Sequence, residues 1–296
     1  MRSLRFSSLA LAAALSLTMT ACGGGGEEEP DTAAPAEKTD FPEGSRMKAL
    51  ADGGKLRVGT KFDQPLFGLK GLSGKPEGFD VEVAKIIAAK LGIPADKVEF
   101  VEAVSANREP FLQQKKVDIV VATYTINDKR DIVVDFAGPY FVAKQDILVA
   151  KGNPKQIAGP EGLKGKKTCS VSGSTPAATV QEKFGLTTAD LLLVDAYSKC
   201  RDALGNGQVD AVTTDTVILA GYVDQAPDKF ELLNKPFTEE PYGVGVPEGQ
   251  EPFCEFINTT LKEAEADGSF AKAFTSTAGK VIKETPKLTS PRGCDK

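Results

Sequence analysis

The chain has 296 residues, 41% of them hydrophobic, enough for one large or two medium globular domains. A formal net charge of −5 excludes the basic stripe that a nucleic-acid partner requires. Histidine is absent, which removes the commonest general base and metal ligand, and none of the five cysteines forms a Cys-x-x-Cys pair. No catalytic residue, metal or cofactor is therefore expected.

At the start of the chain, Arg2 and Arg5 precede an apolar, alanine-rich run over residues 9–17 that is too short to span a bilayer comfortably. The order Leu17, Thr18, Met19, Thr20, Ala21, Cys22 resembles the lipobox of bacterial lipoproteins, with Met19 where leucine is usual. That resemblance implies a signal peptide over 1–21, a lipid on Cys22 and an extracytoplasmic protein anchored to the membrane. Four glycines, three glutamates and a Pro/Ala/Thr/acidic stretch then bury nothing, so 22–45 reads as a flexible tether. No later run is apolar and long enough to cross a membrane.

With Cys22 set aside, Cys169, Cys200, Cys254 and Cys294 form an even set in an oxidising compartment. Pairing Cys169 with Cys200 and Cys254 with Cys294 joins neighbours in sequence and is preferred; two other pairings stay open.

Strand and helix signals alternate along the rest of the chain. Residues 55–60 and 98–101 read as strands, 79–91 and 108–116 as helices, and 117–122 as a buried strand. A second cycle gives strands at 147–150, 168–171, 191–194 and 209–213, with helices at 176–184, 198–206 and 216–222. Helices over 255–266 and from 270 onward close the chain. The segments KKVDIVVATYT and GQVDAVTTDT echo one another, each placing Val-Asp-apolar after a helix and before a polar turn. The pattern is that of an α/β protein with two similar lobes.

Several motifs, in order, carry a wider resemblance: Gly78-Phe79-Asp80-Val81-Glu82-Val83, Ala122-Thr123-Tyr124-Thr125 through Arg130, and Phe136-Ala137-Gly138-Pro139-Tyr140. Val171-Ser172-Gly173-Ser174-Thr175, Val209-Asp210-Ala211 to Asp215, and Tyr242-Gly243 continue the series. Together they resemble family 3 of the bacterial solute-binding proteins, which serve amino-acid ABC importers. The resemblance implies a type II periplasmic-binding-protein fold, two lobes of mixed sheet and flanking helices joined by two crossover strands. Lobe 1 would comprise 46–143 and 244–296, lobe 2 residues 144–243, acting as a monomer beside a membrane permease.

An amino acid presents an α-carboxylate, an α-ammonium and a side chain. The family position makes Arg130 the clamp for the carboxylate, since its planar fork takes both oxygens; otherwise it is a surface charge. Thr123 and Thr125, read two apart on one strand, add hydroxyl donors or are plain strand fillers. Ser174 or Thr175 caps the helix that Pro176 begins, and its free N–H groups suit an anion. Asp215 accepts the ammonium in the family reading and is an ordinary helix cap in the bland one. Arg108 and Lys61 are expected to meet a second carboxylate on the ligand; the plain alternative pairs Arg108 with Glu109 or Glu102. Polar contact is expected at Gln64, where many relatives carry a stacking aromatic. Three cations against Asp215 balance a ligand with two carboxylates and one amine, which makes glutamate the first choice and aspartate the second. KFDQP, ATYTIN and CSVSGSTPA resemble the glutamate-binding branch in particular, including cysteines at the positions of Cys169 and Cys200. The rivals are a glutamine-binding protein, a sensory module, and a dehydratase of arogenate- or prephenate-like acids on the same fold.

Overall fold

The computed structural model describes residues 40–283, 285–288 and Cys294. The expected signal peptide, Cys22 and the tether up to residue 39 lie outside the described residues.

The folded chain opens with α1 (Arg46–Gly53), β1 (Leu56–Thr60) and a small three-stranded sheet of β2 (Asp63–Gln64), β3 (Gly68–Lys70) and β4 (Pro76–Glu77). It continues with α2 (Phe79–Lys90), β5 (Val98–Glu102), α3 (Arg108–Gln113), β6 (Ile119–Val120), α4 (Asp128–Asp131) and β7 (Val134–Ala143). Next come β8 (Gln145–Ala150), β9 (Thr168–Val171), α5 (Thr175–Phe184), β10 (Leu191–Val194), α6 (Tyr197–Gly205), β11 (Ala211–Asp215), α7 (Thr216–Gln225) and β12 (Phe230–Leu232). The chain then returns through β13 (Glu240–Pro247) to α8 (Glu251–Asp267) and α9 (Ser269–Ser276).

Two five-stranded mixed sheets result, in the orders β5-β1-β6-β13-β7 and β10-β9-β11-β8-β12. In the first, β1 runs parallel to β5 and β6, while β13 is antiparallel to β6 and β7. In the second, β9 is parallel to β10 and β11, and β8 is antiparallel to β11 and β12. Each sheet with its helices forms one lobe, and the long strands β7 and β13 are the two crossovers.

The repeated Val-Asp motif has a physical reason. Asp118, just before β6, accepts the backbone N–H of Arg57 at 2.8 Å, and Asp210, just before β11, accepts that of Lys167 at 2.9 Å. Each aspartate thus ties the start of a central strand to its parallel neighbour. Asp118 also takes the guanidinium of Arg57 at 2.7 Å, and that of Arg46.

The two crossover strands implied by the resemblance are present, although the residue pattern alone assigns no strand there; β7 contains Gly138-Pro139, and proline disfavours a central strand. The structure puts β7 at the sheet edge, where the missing N–H leaves no partner stranded. Beneath the crossovers, Phe67, Phe79, Phe141, Tyr242 and Phe274 pack ring to ring, with Phe67 5.4 Å from Phe141 and Phe141 stacked 5.7 Å from Tyr242. This cluster fixes the start of α2. Gly78, with φ 135, lies so close to Phe67 that a Cβ would fall 2.3 Å from its carbonyl, so only glycine fits before Phe79. Cys169 is bonded to Cys200, tying β9 to α6, and Cys254 is bonded to Cys294, tying α8 to the C-terminal stretch.

Candidate functional site

The ends of β1, β6 and β11 and the start of α5 converge on a pocket between the lobes. Gln64, Arg108, Thr123, Thr125, Ser174, Thr175 and Asp215 all line it. Lys61 and Arg130 stand just behind this wall.

On the lobe 1 side, the wall is built around Asp80. Its side chain accepts the Thr123 N–H at 2.8 Å and the Tyr140 hydroxyl at 2.6 Å, and burial raises its pKa to about 7. Thr123 does not sit on a strand as the spacing predicted. It adopts φ 43, a left-handed conformation that Asp80 holds, and Thr125 makes only an isolated bridge to Tyr242. The two threonines reach the pocket because the chain turns there, not because a strand alternates. Thr123 donates its hydroxyl to Gln64 Oε1 at 2.9 Å.

Arg108 is almost wholly buried. Its Nε donates to the Ser105 carbonyl, and Nη1 donates to the carbonyls of Ala122 and Thr123, each at 3.2 Å. Its guanidinium lies 4.3 Å from the centre of the Tyr124 ring. Neither Glu109 nor Glu102 is its partner. Glu109 instead pairs with Arg130 Nε at 3.0 Å. Arg130 Nη1 donates to the Thr125 carbonyl at 2.6 Å, and Nη2 crosses to the Gly173 carbonyl of lobe 2 at 2.9 Å. Arg130 is thus a buried strut between the lobes, with a pKa lowered to about 10 by burial and then by Arg108. Lys61 Nζ donates to Ser105 Oγ at 2.8 Å, and burial, with Arg108 next, lowers its pKa to about 7.

On the lobe 2 side, Ser174 is the cap of α5 and accepts the Ala177 N–H at 3.2 Å. Gly173, at φ 76, approaches Ala106 of lobe 1 so closely that a Cβ would lie 2.8 Å from its Cα. Asp215 stands at the cap position of α7, yet its side chain makes no capping bond. Oδ2 accepts the Tyr242 hydroxyl at 2.6 Å; Oδ1 is buried and has no hydrogen-bond partner. Burial, then the nearby Glu240, push its pKa well above the carboxylate range. A buried acceptor left bare is a place built for a donor, and a cationic one satisfies it best.

Glu240 is the residue the sequence reading missed. It is buried at the start of β13, with Oε2 accepting the hydroxyls of both Thr125, at 2.8 Å, and Thr175, at 2.7 Å. In the sequence its only signal is its place two residues before Tyr242-Gly243. Together with Glu109 and Asp80 it corrects the charge count, since Lys61, Arg108 and Arg130 face four carboxylates with Asp215, not one. The balance alone no longer demands a doubly anionic guest. Among the described residues no cluster of histidine, cysteine, aspartate or glutamate could hold a metal ion.

The strain at Asp215 is testable in the free protein. Asp215→Asn removes a carboxyl group that burial and Glu240 make costly to ionise, while keeping the side-chain shape. The melting temperature at pH 8 should rise, by about 2–4 °C for each kcal/mol of relief. A fall measured by calorimetry, without added ligand, contradicts the account of this carboxylate.

Comparison with known proteins agrees with this geometry. Residues 56–279 match the bacterial extracellular solute-binding proteins, family 3. The ABC transporter glutamine-binding protein of Bacillus subtilis (strain 168) is 39% identical over 272 residues, covering 91% of this chain and 94% of that protein. The glutamate-binding protein of Corynebacterium efficiens is 35% identical over 272 residues, covering 89% and 86% respectively. An ancestral arginine-binding protein bound to glutamine superimposes with a TM-score of 0.71 at 38% identity, over 78% of this chain and 99% of that one. The chain belongs to family 3 of the bacterial extracellular solute-binding proteins.

Proposed function

We propose that the protein captures glutamate between its lobes and delivers it to an ABC importer, held at the membrane by a lipid on Cys22. The observation that carries the amino-acid reading is the bare, buried Oδ1 of Asp215 in a pocket that also carries Arg108 and the start of α5. An α-amino acid brings an ammonium for the first and a carboxylate for the second.

Arg130, the backbone N–H of Thr125 and the free N–H groups of the α5 terminus at Ser174 and Thr175 are the groups assigned to the α-carboxylate, with Asp215 taking the ammonium; the hydroxyls of Thr125 and Thr175 are already given to Glu240. Lys61 and Arg108 are assigned to the side-chain carboxylate, and Gln64 and Thr123 complete the wall. Aspartate offers the same groups on a chain one methylene shorter. The reading of glutamate over glutamine rests on Lys61 and Arg108, two buried cations converging on Ser105, which itself lines the pocket. Glutamine is the second reading, favoured by the carboxylates that already offset those cations and by the glutamine-binding relative in Bacillus subtilis. The dehydratase reading would need a carboxyl group free to act as a general acid. In the pocket wall Asp215 is the only acidic residue, and the ammonium claims it.

Thermal shift against the twenty amino acids distinguishes these readings, because a ligand at a hundredfold its Kd stabilises by ~2.7 kcal/mol. The largest shift should come with glutamate. Arg108→Leu should erase its advantage over glutamine, whereas Arg130→Ala and Asp215→Ala remove binding of every amino acid. A glutamate preference that survives in Arg108→Leu retires the selector assignment.

Lys61 gives a pH signature. With a pKa of about 7 in the free protein, it is largely neutral at pH 8, and a carboxylate beside it favours the charged form. Lys61 therefore takes up protons on binding, a contribution that weakens affinity as pH rises above 7 by at most about tenfold per unit, while Asp215, raised by burial, gives protons up to pair with the ammonium. Calorimetry at pH 8 in buffers of different ionisation heat should show that Lys61→Met takes up fewer protons with glutamate, or releases more, than the unaltered protein. The same proton exchange in the two proteins contradicts the assignment.

The lipid reading rests on the sequence around Cys22. Cys22→Ala should shift the protein from the membrane fraction into the soluble extracytoplasmic fraction; retention at the membrane refutes it.

A further inference from the structure

We infer that Glu240 is the latch that keeps the lobes shut over a bound amino acid, acting through the two threonines and not by touching the ligand. The inference rests on the reading of the cleft proposed above.

Glu240 opens β13 opposite Ala143 of β7, so it stands on the crossover between the lobes. Its Oε1 accepts the Thr238 hydroxyl at 2.9 Å, a bond within the crossover segment that holds the carboxylate whatever the lobes do. Its Oε2 does the bridging. Thr125 comes from lobe 1 and Thr175 from the first turn of α5 in lobe 2, and their hydroxyl oxygens lie 3.3 Å apart on that one atom. A carboxylate oxygen has room for two donors, and a charged acceptor makes each bond roughly twice as strong as a neutral one. Both bonds exist together only with α5 seated against lobe 1.

The placement also explains why a carboxylate is used where a neutral acceptor would be cheaper to bury. Glu240 and Asp215 repel one another across the cleft, and this repulsion adds to burial in raising the pKa of Asp215. An ammonium at Asp215 relieves that repulsion. The latch is therefore strongest over a ligand that carries an amine and weakest over a plain dicarboxylate.

Stopped-flow displacement of the bound amino acid measures the latch, using glutamate or, if it binds more tightly, glutamine. Glu240→Gln, nearly the same shape without the charge, should speed dissociation by roughly tenfold and leave association little changed. Thr175→Val, a separate route to the same loss, should also speed dissociation, and the double variant should dissociate no faster than the faster of the two. Unchanged dissociation in Glu240→Gln overturns the latch, as do effects that multiply in the double variant, because Thr175 would then act on the ligand directly. Failure of the unaltered protein to bind either amino acid overturns the reading of the cleft and removes the latch with it.

Discussion

Asp215 holds one oxygen against the Tyr242 hydroxyl and leaves the other buried and without a partner. A carboxylate in that position is unfavourable by itself, and the rest of the cleft is arranged around supplying it with a cation. Tyr242 belongs to a crossover strand, so the residue that steadies Asp215 is part of the hinge. The same ring stacks on Phe141 of the other crossover and packs against Phe67, which seats α2 and, through Asp80, the left-handed turn at Thr123. One chain of contacts thus runs from the aromatic floor to the ligand wall.

Charge in the cleft is held by pairing and not by exposure. Arg108 and Arg130 flank the face of Tyr124, and both spend their donors on backbone carbonyls. Such donors are aimed and immobile, which suits recognition of a carboxylate with little further ordering on binding. The Gly173 carbonyl receives Arg130 from across the cleft, so the N-terminal end of α5 is positioned by a cation of lobe 1. Closure and recognition share the same groups. Separate contacts at the rim, Tyr222 hydroxyl to the Asp63 carbonyl at 2.7 Å and Lys129 to Glu182 at 2.8 Å, join the lobes without reaching the pocket.

Much of this was legible in the residues. The echo of KKVDIVVATYT and GQVDAVTTDT corresponds to β6 and β11, the central strands of the two sheets, and its aspartates prove to be ties between neighbouring strands. The crossovers were legible as strands only through the resemblance, since Gly138-Pro139 interrupts the strand pattern of β7 and Tyr242/Val244 sits at an irregular register in β13. Thr123 and Thr125 were placed in the pocket by a period-two argument, whereas the backbone turns there under the hold of Asp80. Glu109, the plain alternative partner for Arg108, lies next to it in sequence but reaches Arg130 in space. Glu240 gave almost no signal, since a glutamate in Thr-Glu-Glu-Pro reads as a solvated loop. Only the return of the chain through the hinge buries it.

A crystal structure of the protein with glutamate tests the central claim most directly. The account predicts the α-ammonium within hydrogen-bond distance of Asp215 Oδ1 and the side-chain carboxylate beside Lys61 Nζ and Arg108. An amine placed away from Asp215, or a side chain directed away from both cations, contradicts it.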